Sequence, residues 1–455
     1  MLRSWGWLCA FPLLAAVVLT AQDPPQADDP FQRGLIALQS DRVAEALDAF
    51  TDAESQHPND ARVHNFRGIA LVSLNRLDEA AAEYRRATEL DSHMESAFRN
   101  LGYLEWTSHQ YKQAREHLQH ALKLAPDDTF AAYYLARLEV ADNHPQAAIP
   151  LLEQSADKKL AWAQLDLALA YLSAGEYAET VGSANSLTES NTASAADRAS
   201  AASIVGIAES KLHHDDKGLA ALQQAATLDP RQEVHWLNLT RQEMELKRVA
   251  DAIASVQQGI QAVPKSYALQ LRLGAAYFSS GKYDEAEKVF RSLVTAGDPL
   301  PTSTIGLAQV LLHTGRAAEA ATLLIDAEHR LGPQFLIVYF EALALDHAGN
   351  RADALATYLR AEKMNPDSME VHLGVGKISL LVGKTDEAIE ELQKVVNAQP
   401  GNLPARRLLS RGYAKRGDQT DANKYATNST APDAEPESNL VGDFLLPDWQ
   451  QPTVE

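Results

Sequence analysis

Small residues recur along this chain at intervals of 34 positions, and a bulky apolar residue follows most of them four positions later. Ala46, Ala80, Ala114 and Ala148 mark one run; Gly218, Ala252, Ala286, Ala320, Ala354, Ala388 and Ala422 mark another. The bulky partners are Phe50, Tyr84, Leu118, Leu152, Leu222, Val256, Phe290, Leu324, Tyr358 and Leu392. A spacing of four places both residues on one helix face. Twelve positions before nine of these eleven markers lies a second small residue: Gly34, Gly68, Gly102, Gly206, Gly274 and Gly376, or Ala136, Ala308 and Ala342. Pro58, Pro126, Pro230, Pro264, Pro366 and Pro400 then punctuate the pattern, each unable to continue a helix for want of an N–H. Between the two small slots stand Asn75, Asn143, Gly281, Gly315, Gly349, Gly383 and Gly417, residue types suited to a left-handed helix cap. Each unit therefore predicts two helices, A and B, joined by a short turn.

One unit is irregular. Tyr171, Gly175 and Tyr177 fit the pattern with Thr180 in the marker slot, so the interval is 32 before it and 38 after it. The Ser/Thr/Asn/Ala-rich stretch 186–196 absorbs the excess and reads as an extended loop between repeats.

The pattern resembles the tetratricopeptide repeat, with its Leu-Gly-x2-Tyr, Ala-x3-Phe and Pro positions. The fullest match is Leu273-Gly274-x2-Tyr277, followed by Gly281, Tyr283, Ala286 and Phe290. The resemblance implies an all-α fold over residues 27–427, a right-handed superhelical solenoid of about twelve 34-residue helix-turn-helix units. No unit buries its apolar face alone, so stacking supplies the core.

Composition narrows the function. The formal charge of −20 disfavours nucleic acid, which is bound by clustered Lys and Arg. Residues 1–21, with Arg3, an uncharged run from Trp5 to Thr20, and Ala21 before Gln22, have the layout of a signal peptide, and 22–26 form a short polar linker. An uncleaved N-terminal membrane anchor is the other reading of that segment; the mature chain is expected to hold no integral membrane span. The only cysteine, Cys9, lies within it, so disulfides, thiol chemistry and Cys-ligated metal are not expected in the mature chain. Residues 428–455 form an acidic, Pro-containing tail expected to be mostly disordered.

No nucleotide-binding, nucleophile-elbow or zinc-protease motif is present, and no catalytic, cofactor or metal residues are assigned. His213-His214-Asp215-Asp216 falls in an expected turn, and Glu116, His117 and His120 read as a solvated helix face. The family resemblance implies instead that the A helices line a groove that takes a protein or peptide ligand. In the early repeats the phase of each unit places Asn65, Arg99, Tyr103, Trp106, Tyr133, Arg137 and Trp162 there. Rings supply apolar area and polar groups fix a main chain, a combination suited to a polypeptide. Near the C-terminus Arg407, Arg411 and Lys415 form a basic stripe; one reading docks the acidic tail with Phe444 and Trp449 on it, and the other leaves a solvated basic cap with a loose tail. The expected function is a non-catalytic interaction scaffold of the exported bacterial type, in the periplasm or outside the cell. The alternative is an adaptor subunit of an envelope export or polysaccharide-secretion machine.

Overall fold

A computed structural model of the protein describes residues 29–156, 161–297 and 301–426. Every regular element among them is an α-helix, and none is long and apolar enough to cross a membrane. The expected signal segment 1–21, linker 22–26 and disordered tail 428–455 lie outside the described residues.

The chain divides into two compact units, one ending at Leu212 and the other beginning at His213. The first contains α1 (Pro30–Gln39), α2 (Val43–Gln56), α3 (Ala61–Ser73), α4 (Leu77–Leu90), α5 (Glu95–Thr107), α6 (Tyr111–Leu124), α7 (Thr129–Ala141), α8 (Pro145–Ala156), α9 (Ala161–Ala174), α10 (Tyr177–Thr188) and α11 (Ala195–Lys211). The second contains α12 (Asp215–Leu228), α13 (Glu233–Glu245), α14 (Val249–Ala262), α15 (Tyr267–Ser279), α16 (Tyr283–Thr295), α17 (Thr302–His313), α18 (Ala317–Leu331), α19 (Phe335–His347), α20 (Arg351–Met364), α21 (Met369–Leu381), α22 (Thr385–Ala398), α23 (Leu403–Arg416) and α24 (Gln419–Tyr425). Odd-numbered helices are the A helices of the repeat and even-numbered ones the B helices. Within each unit an A helix packs on its own B helix and also on the A helix of a neighbouring repeat, as α5 does on α7, α7 on α9, α15 on α17 and α19 on α21. A helices are consequently buried almost all round, as in α19, whereas α4 buries only the stripe Ala80, Tyr84 and Ala87.

The marker slots behave as close-packing demands. Ala46, Ala80, Ala114, Ala148, Ala252, Ala286, Ala320, Ala354 and Ala388 have no exposed surface, and Thr180 is equally buried. Thr180 tolerates this because its Oγ1 donates to the Glu176 carbonyl at 2.8 Å. The reason for glycine twelve positions earlier is direct: a Cβ on Gly68 would stand 2.5 Å from the Tyr84 ring, and one on Gly34 2.5 Å from the Phe50 ring. The bulky residue of helix B sits in the notch left by its own helix A.

The A-to-B turns repeat one conformation. Gly175, Gly281, Gly315, Gly349, Gly383 and Gly417 have positive φ, and so do Asp41, Asn75, His109, Asn143, His213 and Lys247. The expected caps are all left-handed, and His213 belongs to a polar turn as read. A second device holds the B-to-A connections. The carbonyl oxygen at the helix-stopping proline accepts from a side chain: from Trp236 Nε1 at Pro230 (3.0 Å), Gln270 at Pro264 (3.2 Å), and His64 and His372 at Pro58 and Pro366 (3.1 and 2.8 Å). Ala132 occupies that slot in the fourth repeat, and there Gln154 from helix B reaches the Pro126 carbonyl instead, at 2.7 Å. A backbone acceptor at a helix junction is thereby satisfied.

The loop expected over 186–196 is shorter than that. Helix α10 runs to Thr188, α11 begins at Ala195, and the connection is 189–194. The extra residues lengthen α11, which has 17 residues against 13 in α3. Ser194 starts it, accepting from the Asp197 N–H at 3.1 Å while its hydroxyl donates to the Asp197 carboxylate. Serine-rich composition was compatible with both outcomes; the cap decides for helix.

Candidate functional site

Five of the expected groove residues gather on a single face made by α5, α7 and α9. On α5, Tyr103 and Trp106 are three residues apart and share a side of the helix. On α7, Phe130, Tyr133, Tyr134 and Arg137 follow at i, i+3, i+4 and i+7, which again is one stripe. Trp162 and Asp166, four apart, complete it from α9. Tyr134 joins the two sides, its ring 4.8 Å from Tyr103, 4.9 Å from Trp106, 4.7 Å from Phe130 and 5.1 Å from Tyr133. The Trp162 ring lies 4.1 Å from Tyr133 in an edge-on arrangement. Such pairs each contribute about 0.5–1.5 kcal/mol beyond their burial.

Charge is threaded through the rings. The Arg137 guanidinium lies 4.9 Å from the Trp106 ring centre and 5.8 Å from that of Tyr133, and its Nε is 3.9 Å from Asp166. Tyr133 donates its hydroxyl to Asp166 Oδ2 at 2.7 Å. Burial, reinforced by the Asp166 charge, pushes the Tyr133 phenol above its ordinary range. Burial also raises the Asp166 carboxyl, against the hydrogen bond from Tyr133 and the charge of Arg137. The outer edge stays open: Trp162 is 41% exposed, while Tyr103, Trp106 and Arg137 are half-buried.

The other expected residues do different work. Asn65 is buried, and its Oδ1 accepts from Asn100 Nδ2 at 3.0 Å, so its amide ties α3 to α5 instead of facing a ligand. Arg99 reaches Asp128 Oδ2 at 3.3 Å, bracing the residue that caps α7. Lys415 donates to the Leu380 carbonyl at 3.1 Å near the end of α21, and the residue is exposed. Arg411 is exposed on α23 and Arg407 half-buried. His117 is engaged as well: its Nδ1 is 2.6 Å from the buried Glu105 carboxylate. The ring of His120, one turn on, is tilted against Phe98 with centres 4.1 Å apart.

Phe130, Tyr134 and Asp166 belong to the aromatic face although the groove positions of the repeat omit them. For the two rings the signal was present as the run Phe130-x2-Tyr133-Tyr134 on a helix rich in Ala and Leu. The A helices of the second unit also bury polar groups, as α3 and α5 do with Asn65, Asn100 and Glu105: Arg241, Gln309 and Glu341 are all at most 5% exposed. Arg241 reaches Glu245 at 3.0 Å; burial, aided by the Arg241 charge, lowers the Arg272 guanidinium to about 9. Burial raises the Glu243 and Glu341 carboxyls to about 7.

Family models of the tetratricopeptide repeat match residues 31–95, 99–161, 271–334 and 340–402, with a further one over 243–298, together more than half of the chain. The chain belongs to the tetratricopeptide-repeat family. Among characterised tetratricopeptide-repeat relatives, the Hsp70-Hsp90 organizing protein of Triticum aestivum is 26% identical over 106 residues, 23% of this chain and 18% of that protein. The peroxisomal targeting signal receptor of Candida glabrata is 34% identical over 91 residues, 20% of this chain and 15% of the receptor. The human protein O-mannosyl-transferase TMTC1 is 33% identical over 98 residues, 21% of this chain and 11% of the transferase. The tetratricopeptide-repeat chain thus spans less than a fifth of the length of these relatives. Among solved structures, YrrB, a TPR protein with an unusual peptide-binding site, is similar at 24% identity and a TM-score of 0.38, over 41% of this chain and 94% of YrrB. The Naa15/Naa10 complex bound to HypK-THB is similar at 13% identity and a TM-score of 0.38, over 88% of this chain and 69% of that one.

Proposed function

We propose that this tetratricopeptide-repeat protein is a non-catalytic scaffold that takes an extended segment of another polypeptide on the α5–α7–α9 face. The observation that carries the reading is the continuous set of rings from Tyr103 to Trp162, with Arg137 laid across it and its outer edge exposed. Half-exposed aromatic rings beside a guanidinium are the residue types that dominate binding energy in protein interfaces. Two of the relatives are named for the proteins they organize or for a targeting signal, which supports a polypeptide ligand in kind. Export through the N-terminal segment would place the work in the periplasm or outside the cell, and the ligand would then be an envelope or secreted protein.

Selection of peptides from a random library against the whole protein tests the reading. Selected peptides should bind the Trp106→Ala/Trp162→Ala variant at least about tenfold more weakly, the loss of roughly one hot spot, with helicity unchanged. Equal binding by the variant would remove the site from this face. N-terminal sequencing of the protein from its native cell should begin near Gln22; an intact Met1 would contradict cleavage.

A further inference from the structure

Helices α20, α21 and α22 bring three ligand-type side chains to one point: Glu362, His372 and Glu391, whose donor atoms all lie within 4.8 Å of one another. The His372 Nε2 is 2.8 Å from the Pro366 carbonyl oxygen. A carbonyl only accepts, so Nε2 carries a proton and donates it. Nδ1 is then turned on two carboxylates, 2.7 Å from Glu391 Oε2 and 3.6 Å from Glu362 Oε1. Contacts this short between Nδ1 and two carboxylates need a positive charge between them, which either a proton on the ring or a metal ion supplies. The ring is 5% exposed, Glu391 12% and Glu362 23%.

The first unit contains the same constellation with its cation built in. His64, Glu54 and Glu83 stand 308 residues before His372, Glu362 and Glu391, and His64 makes the same two contacts, to Glu83 and to the Pro58 carbonyl. There the guanidinium of Arg67 bridges the carboxylates, bonded to Glu54 and 3.1 Å from Glu83 Oε1. The residue 308 positions after Arg67 is Val375. The second unit keeps both carboxylates and the ring and has replaced the guanidinium by a hydrocarbon. The nearest cation is Lys394, whose Nζ is 2.7 Å from Glu391 Oε1 and 3.8 Å from Glu362 Oε1, on a side chain 41% exposed. Its counterpart in the first unit, Arg86, is turned away from the pair toward Glu89 and Asn59, so this slot lets its side chain leave.

We infer that Glu362, His372 and Glu391 form a binding site for a divalent transition metal, zinc above all, that clasps α20, α21 and α22. One imidazole nitrogen and two carboxylate oxygens are a zinc donor set with the fourth position left to water. Bonds of about 2.0–2.1 Å set tetrahedral donors about 3.3 Å apart. The observed 2.7 and 3.6 Å straddle that value, so loading asks for small side-chain shifts and the outward swing of Lys394. The backbone carbonyl on Nε2 is the outer partner that metal-bound histidines commonly keep.

Calorimetric titration of the chelator-treated whole protein with zinc chloride tests the site, with cobalt absorption as a second readout of tetrahedral N/O ligation. One zinc equivalent should bind. Glu362→Gln and His372→Gln should each weaken it by roughly tenfold or more, and Lys394→Ala should strengthen it. Glutamine at 372 keeps the fold testable, because Gln270 already bonds the Pro264 carbonyl from the same repeat slot. His64→Gln should leave zinc binding unchanged. No zinc uptake, uptake indifferent to Glu362→Gln and His372→Gln, or equal loss in His64→Gln would each overturn the site.

Discussion

The A helices of both units bury polar groups, but the two units differ in the aromatic surface they leave open. In the first, α5, α7 and α9 present rings at the surface, with Trp162 41% exposed and Arg137 lying across Trp106. In the second, α13, α17 and α19 seal polar groups inside: Gln309 has no exposed surface, and Arg241 and Glu341 are each 5% exposed. Apolar surface left in water gains free energy when another molecule covers it. A buried polar group gains nothing from a ligand it cannot reach, and it constrains the fold and its protonation. One architecture thus yields a face suited to binding and a face suited to holding the array together.

Substitutions on the two sides should separate these roles. The largest effect is expected from Phe290→Ala. Its ring fills the notches of both Gly274 and Gly306, each of whose Cβ positions would lie 2.7 Å from it. Emptying that space should cost about 3–5 kcal/mol and accelerate hydrogen exchange across α15, α16 and α17. Trp162→Ala, on an open edge, should cost far less stability while reducing peptide affinity. Similar stability losses for the two would break the comparison.

Tyr133→Phe comes next. It removes the hydroxyl that donates to Asp166 and leaves a partly buried carboxylate short of a donor, at about 1–3 kcal/mol by chemical or thermal denaturation. A loss near zero would mean that Arg137 or water serves Asp166 equally well.

The smallest effect is a pH dependence in the second unit. Burial, with the neighbouring Glu328, raises the folded Glu341 carboxyl to about 7 from an ordinary 4.5. The folded state therefore holds more protons than the unfolded state between those values, and this group's contribution falls as pH rises through that window. Arg360, with its NH1 3.8 Å from Glu341 Oε1, already tempers that rise, and solvent screening of the half-buried cluster brings the change to on the order of 1 kcal/mol. Comparing wild type with Glu341→Gln at pH 4.5 and 7.5 isolates it: the variant should lose less stability on going to the higher pH. A parallel response of both proteins would show that Glu341 ionises normally.

The repeat was legible because its slots are steric. Only a small residue fits beneath Tyr84 at Gly68, and the marker slot of helix B accepts Thr180 because its hydroxyl finds the carbonyl of its own helix. The site was legible in part. Phase placed Tyr103, Trp106, Tyr133, Arg137 and Trp162 on one face, and they meet there. Phase also placed Asn65 there, but it does not say whether the next A helix covers a position, and Asn100 does so from 35 residues on. The Glu362–His372–Glu391 cluster was invisible for a related reason. Its members are 10 and 19 residues apart and converge from three helices, so no local spacing betrays them.

The central claim, a polypeptide bound on the α5–α7–α9 face, is tested most directly by site-specific photocrosslinking with a library-selected peptide. A benzophenone residue replacing Trp162 should capture the peptide efficiently. The same residue replacing His313, exposed at the end of α17 in the second unit, should capture little. Crosslinking from 313 with none from 162, or equal yields from both, would contradict the account.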